Sequence, residues 1–274
     1  MNCHRVELSV VRSLKTQRVH GGVFYFVGAG LRYFWRCFFM KFEKLKKIVK
    51  CFTELTRLER MIWLSSLVVI ISCYALSPSD DVLSLIASLI GVTALIFVAK
   101  GYVIGQILTV VFAVFYGIIS FYFAYYGEMI TYLGMSAPMA IMSAISWAKN
   151  PYHGSAEVKV NRVSRKSLLI IFVMTIAVTT AFYFVLKALH TENLIFSTVS
   201  VSTSFLAVAF TFMRSHYYAL AYAANDIVLI ILWVLASLDD SSYIPMVVCF
   251  TVFLINDTYG FVNWQRMKKR QLGT

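Results

Sequence analysis

Apolar residues gather in eight runs along the chain, at about 61–76, 82–99, 102–126, 128–148, 168–187, 194–213, 216–236 and 243–263. A helix needs about 20 such residues to cross the hydrocarbon of a bilayer. The first run is short but gains length from Leu58 and Pro78. The polar stretches between the runs sort by charge. "KFEKLKKIVK" precedes the first run, Lys100 lies between the second and third, and "WAKNPYHGSAEVKVNRVSRKS" joins the fourth and fifth. Arg214 separates the sixth and seventh, and "WQRMKKRQ" closes the chain. The alternate connections, "SPSDD", "YYGE", "HTEN" and "SLDDSS", contain no Lys or Arg. Eight spans place every basic segment on one side, which the positive-inside rule makes cytoplasmic together with both termini. Seven or nine spans would scramble that order.

A repeat underlies the eight. Spans two to four and spans six to eight share one frame: an apolar helix, a turn with one base (Lys100 or Arg214), two more helices, then Trp-x-Lys/Arg at Trp147-Lys149 and Trp264-Arg266. The Trp follows the turn residue by 47 and 50 positions. Units of three helices run parallel only with an extra span between them, and span five supplies it. The predicted fold is an all-α polytopic membrane protein with eight transmembrane helices, one N-terminal helix followed by a 3+1+3 parallel-repeat bundle. Such repeats characterise transporters, whose substrate sites lie at the repeat interface. The corresponding domain boundaries are a basic N-terminal segment at 1–60, a transmembrane domain at 61–266 and a cytoplasmic tail at 267–274. Within the domain, repeat one covers 82–150, the linker helix 168–187 and repeat two 194–266. Residues 1–39 are aromatic and apolar but broken by Arg32 and Arg36. They read as an interfacial segment, or as an extension upstream of a natural start at Met40 in "MKFEKLKK".

Composition supports the membrane reading. Of the 274 residues, 59% are hydrophobic and 14% charged, against about 25% charged in a soluble domain. The net charge of +12 belongs to topology rather than to nucleic acid, since no basic stretch carries a reader motif. The five Cys and five His stand at no metal-ligand spacing, and no CxxC occurs, so neither a metal nor a cofactor is expected. Phosphate-loop, dinucleotide and nucleophile-elbow motifs are absent, and an enzyme is not expected.

Candidate chemistry lies inside the spans. Asn225-Asp226 interrupts the seventh and Asn256-Asp257 the eighth. A carboxylate at mid-membrane costs about 2.5–3.5 kcal/mol on an insertion scale, so it should face protein or a watery cavity. Helical spacing aligns Tyr222, Asp226 and Trp233 on one face, and Asn256, Tyr259 and Asn263 on another. Gln106, Thr109, Tyr116 and Ser120 form a third face, and Tyr132, Ser136, Ser143 and Trp147 a fourth. Any single Ser, Thr or Tyr in such a face serves as interhelical hydrogen-bond glue, and Trp147 and Trp264 also suit interface anchors. A pair with a carboxylate points to binding. Aromatic faces with carboxamides suit a flat ring bearing a polyhydroxyl group. With no Arg or Lys in these faces, a phosphorylated ligand fits poorly.

"YGEMITYLGMSAPMAIMSAISW", "YYALAYAANDIVLIILWVLASLDDSSYIPMVVCF" and "NDTYGFVNWQRM" resemble the PnuC-type nicotinamide riboside transporters of bacteria over about residues 55–270. The resemblance implies a SWEET-like fold in the bacterial plasma membrane and facilitative uptake of nicotinamide riboside for NAD synthesis. Cargo would be trapped inside by phosphorylation, and the assembly would be a homotrimer. The family's Trp-x-x-x-Asn/Asp motif falls on Tyr222 to Asp226, with Tyr in place of Trp. Its Pro-x-Gln-x-x-Gly pattern reads Pro138-Met139-Ala140-Ile141-Met142-Ser143. These departures leave thiamine or a riboflavin-like cargo open. The expected substrate site is Tyr222, Asn225, Asp226, Asn256, Asp257, Tyr259 and Asn263, facing Gln106, Tyr116 and Trp147 of the other repeat.

Overall fold

The computed structural model describes residues 51–77, 82–122, 126–191 and 193–273. The expected start-site extension at 1–39 and most of "SPSDD" lie outside the described residues. The helical bundle begins at Thr56. Its helices are α1 (Arg57–Leu76), α2 (Val82–Ala99), α3 (Val103–Tyr122), α4 (Tyr126–Ile130), α5 (Ala137–Ala148), α6 (Arg165–Ala188), α7 (Leu194–Phe212), α8 (Tyr218–Asp239) and α9 (Ile244–Leu272). Among the described residues, eight helical segments are long and apolar enough to span a membrane, as the sequence predicted.

Local chemistry explains the boundaries. Thr56 caps α1 in a reciprocal box with Glu59: Glu59 N donates to Thr56 Oγ1 at 3.2 Å, and Thr56 N donates to Glu59 Oε2 at 2.7 Å. The fourth span is a composite. A π-helical turn, Thr131–Ser136, joins α4 to α5, and Ala137 N donates to Tyr132 O five residues back. Pro138 follows at the start of α5. Proline has no N–H and its ring crowds the carbonyl four residues earlier, and the wider turn makes room for it. The last helix runs nine residues past the predicted end of its apolar run, because Lys269 and Arg270 favour a helix C-terminus. It ends on Gly273 in the left-handed region at φ 65°.

Packing follows the predicted repeats. α2, α3 and α5 make one unit, and α7, α8 and α9 the other, with α6 lying against α7. The first helix of each unit packs on the third helix of the other, α2 on α9 and α7 on α5. α1 lies outside both units, against α2 and α9.

The two inter-helix turns match bond for bond. Gly101 N donates to Val98 O and Tyr102 N to Phe97 O; Arg214 N donates to Thr211 O and Ser215 N to Phe210 O, all at 2.9 Å. Gly101 (φ 74°) and Arg214 (φ 57°) both occupy the left-handed region. The true counterpart of Arg214 is therefore Gly101, one residue beyond Lys100. The sequence match on positive charge was off by one, because the turn is defined by backbone conformation and not by the base.

The same symmetry governs the two tryptophans. Trp147 Nε1 donates to Thr211 O at 2.9 Å, and Trp264 Nε1 to Val98 O at 3.0 Å. Each acceptor lies three residues before its left-handed turn. The indoles meet at 5.4 Å, and Tyr218 closes on Trp264 at 4.8 Å. All three rings are buried. The loop after α5 then ties both turns together: Val158 N donates to Gly101 O at 2.9 Å and Asn161 N to Arg214 O at 3.0 Å. Gln271 of α9 holds that loop through Val160 N at 2.7 Å, and Arg270 pairs with Glu157. This end of the bundle is closed.

Candidate functional site

Between the two repeats lies a cleft that opens to solvent, with about 740 Å³ of space when that open mouth is included. Its polar groups come from five helical segments. α3 contributes Gln106 and Thr109, the fourth span Tyr132 and Ser136, and α7 Ser204. α8 contributes Tyr222, Asn225 and Asp226, and α9 contributes Asp257. Phe112, Phe250 and Phe253 add aromatic surface, and Gly91 on α2 lets α9 approach: a Cβ there would stand 2.5 Å from the Phe253 ring. A neighbouring cleft of about 420 Å³ shares Tyr132, Ser204 and Leu229 with this one.

The two Asn-Asp pairs behave alike. Adjacent residues on a helix point about 100° apart, so each pair divides between two faces. Asn225 turns to α7, where its Oδ1 accepts from Thr203 at 2.8 Å, Ser204 at 2.9 Å and Ser200 at 3.3 Å. Asn256 turns to α1, donating through Nδ2 to Ser66 Oγ at 3.0 Å and to Val252 O at 2.8 Å. The aspartates turn inward. Asp226 and Asp257 are both buried and come within hydrogen-bonding reach of each other. Asp226 Oδ2 is buried with no hydrogen-bond partner.

Of the ten expected residues, the structure brings Gln106, Tyr222, Asn225, Asp226 and Asp257 to the cleft. The others lie elsewhere. Asn256 faces α1. Tyr259 donates to Glu59 Oε1 at 3.0 Å, and Glu59 also pairs with Lys100 at 3.0 Å, so this polar face fastens α1 to the bundle. Asn263 donates to Ala99 O at 2.9 Å, at the end of α2. Tyr116 packs behind the cleft against Tyr132, the rings tilted at 45° with centroids 4.4 Å apart. Trp147 belongs to the closed end. Thr109, Tyr132 and Ser136, which line the cleft, already stood out in the polar faces read from the sequence. Ser204 and the phenylalanines did not, since nothing in the chain separates a cavity-facing Phe from a lipid-facing one.

Outside the spans, His216 sits 3.4 Å from Lys268 Nζ through Nε2. Burial, helped by the Lys268 charge, pushes its imidazole down to about 4.

A family model described as nicotinamide mononucleotide transporter matches residues 81–266, well over half the chain. The chain belongs to this family. Two curated relatives are each named nicotinamide riboside transporter PnuC. The protein of Neisseria mucosa is 24% identical over 199 residues, covering 71% of this chain and 76% of the relative. The protein of Haemophilus influenzae is 22% identical over 213 residues, covering 77% and 91%. A crystal structure of the vitamin B3 transporter PnuC matches with a TM-score of 0.70 at 23% identity, over 79% of this chain and 94% of that one. The shared fold is the bundle described above. The matched residues of the mononucleotide transporter family run from the loop before α2 to the Trp264-x-Arg266 close of repeat two, so both repeats and the whole cleft fall within them.

Proposed function

We propose that the chain carries nicotinamide riboside across a bacterial plasma membrane by facilitated diffusion, for NAD synthesis. Family membership and the names of the two PnuC relatives support a pyridine-nucleoside cargo. The observation that carries the choice of the riboside over the mononucleotide is the lining of the cleft. It holds carboxamides, hydroxyls, carboxylates and aromatic rings, with no Lys or Arg among its lining residues. A phosphate would enter that lining opposite two carboxylates and without a cation to meet it. A ring with a ribose meets stacking surfaces and hydroxyl partners.

Thiamine or a riboflavin-like compound is the second reading, favoured by Tyr222, Ala140 and Ser143, where the family pattern has Trp, Gln and Gly. Charge segregation along the chain supports cytoplasmic termini, with residues 1–60 and 267–274 on that side of a transporter domain at 61–266. By the same resemblance the assembly is a homotrimer, and the apolar outer face of α6, with Leu169, Ile170 and Phe172 exposed, suits lipid.

The test is a thermal-shift screen of purified protein against nicotinamide riboside, nicotinamide mononucleotide, thiamine and riboflavin. A ligand that binds only the folded state raises its apparent stability. The riboside should raise the melting temperature and the mononucleotide should not. A shift with thiamine or riboflavin alone would reassign the cargo.

A further inference from the structure

Resting on the cargo assignment above, we infer that Asp226 and Asp257 read the positive charge of the cargo. The cleft selects a flat aromatic cation, such as an N-glycosylated pyridinium, against an uncharged ring of the same shape.

The pair is unlike Glu59 and Glu157, each of which has a cationic partner. Glu59 has Lys100 at 3.0 Å, and Glu157 has Arg270. Asp226 and Asp257 have each other, from adjacent helices of one repeat, and the cleft they line contains no Lys, Arg or His among its lining residues. One buried oxygen, Asp226 Oδ2, has no partner at all. Two adjacent carboxylates repel one another unless they share a proton or meet a cation, and so make poor packing glue. A cation placed against both relieves the repulsion, and in this lining only the cargo brings a permanent one. The surroundings suit a flat cation in particular. Tyr222 stands one helical turn before Asp226 on α8, Tyr132 faces the cleft from the π-helical turn, and Phe253 stands one turn before Asp257 on α9. A cation over such ring faces is attracted by their quadrupoles as well as by the carboxylates.

Nicotinamide riboside has that character. Its glycosylated ring nitrogen is quaternary, so the ring is positive at every pH. The 1,4-dihydro form keeps the ribose and the carboxamide and loses the charge. Charge and shape can therefore be varied separately.

The experiment is isothermal titration of the full-length purified protein with both forms, for the wild type and for Asp226→Asn, Asp257→Asn and the double variant. The wild type should bind the oxidised riboside about tenfold or more tightly than the dihydro form. The double variant, nearly unchanged in shape, should bring that ratio close to one, the oxidised form losing more affinity than the dihydro form. A wild-type ratio near one overturns the inference, and it does so even if no variant folds. A ratio that persists in the double variant overturns it as well. If the wild type binds neither riboside, the cargo assignment fails separately, and thiamine and riboflavin decide the charge question. Thiamine, a fixed thiazolium cation, should then bind and weaken in the double variant. Preference for neutral riboflavin sinks both readings.

Discussion

At the residue scale, the two Asn-Asp pairs assign different tasks to neighbouring side chains, and mutation should separate those tasks. Asp226→Ala removes a carboxylate that can accept two hydroxyls of a vicinal diol or face a cation. Losing a charge-assisted contact in a closed site costs about 1.5–3 kcal/mol, or about 10- to 150-fold in affinity. Titration with nicotinamide riboside should show that loss, and Asp240→Ala, exposed in the turn after α8, should leave affinity unchanged. Asn256→Ala should do the reverse, costing about 1–3 kcal/mol of stability through the orphaned Ser66 contact and so lowering the melting temperature, while the riboside still binds. His216 gives a third residue-scale expectation. Its ordinary value is 6.5 and its folded value about 4. Above 6.5 neither state is protonated there. Between the two values only the unfolded chain takes the proton, so stability should fall as pH drops from about 6.5 towards 4. Melting temperatures of His216→Gln should decline less over that window than those of the wild type. From the chain alone, polar residues inside spans could be picked out, but not the direction each faces. Asn256, Tyr259 and Asn263 do share one helical face as their spacing says, and only the packed helices show that α1 and the end of α2, not the cleft, lie opposite.

At the element scale, the pattern of apolar runs was enough to find all eight candidate spans among the described residues, since hydrocarbon imposes a length that little else in the chain imitates. What it could not reveal was the π-helical turn ahead of Pro138, which depends on a single missing N–H. Nor could it give the register of the repeat, which depends on left-handed backbone at Gly101 and Arg214. That register makes a prediction. Gly101→Ala forces an L side chain into φ 74° with its Cβ 2.7 Å from Met267 Cε, and should cost about 1–2 kcal/mol or more. Arg214→Gly removes a far larger side chain yet relieves the same backbone conformation. Chemical or thermal melts should show it to be the milder change.

At the scale of the whole molecule, the loop between α5 and α6 crosses both repeats and carries basic residues. Proposed as cytoplasmic, it should be protected from outside reagents. The position to probe is Ser155, exposed at the tip, since Val158 and Val160 are buried. A cysteine there should resist a membrane-impermeant thiol reagent in intact cells and react in inside-out vesicles. Labelling from outside would overturn the eight-span orientation.

Trp147 and Trp264 each end one repeat and donate to a carbonyl in the other. Neither half can complete its own closed end, so each carries the missing piece of its neighbour. A chain severed at Thr191, between α6 and α7, should therefore behave as two complementing fragments. Co-expressed, they should copurify through a tag on one fragment and recover riboside binding, whereas either alone should aggregate. Changing both tryptophans to Phe should weaken that copurification without abolishing it, because α2 still packs on α9 and α7 on α5. In that sense the covalent link through α6 is a tether, and the halves recognise each other through the crossed helices and the two tryptophans that pin their ends.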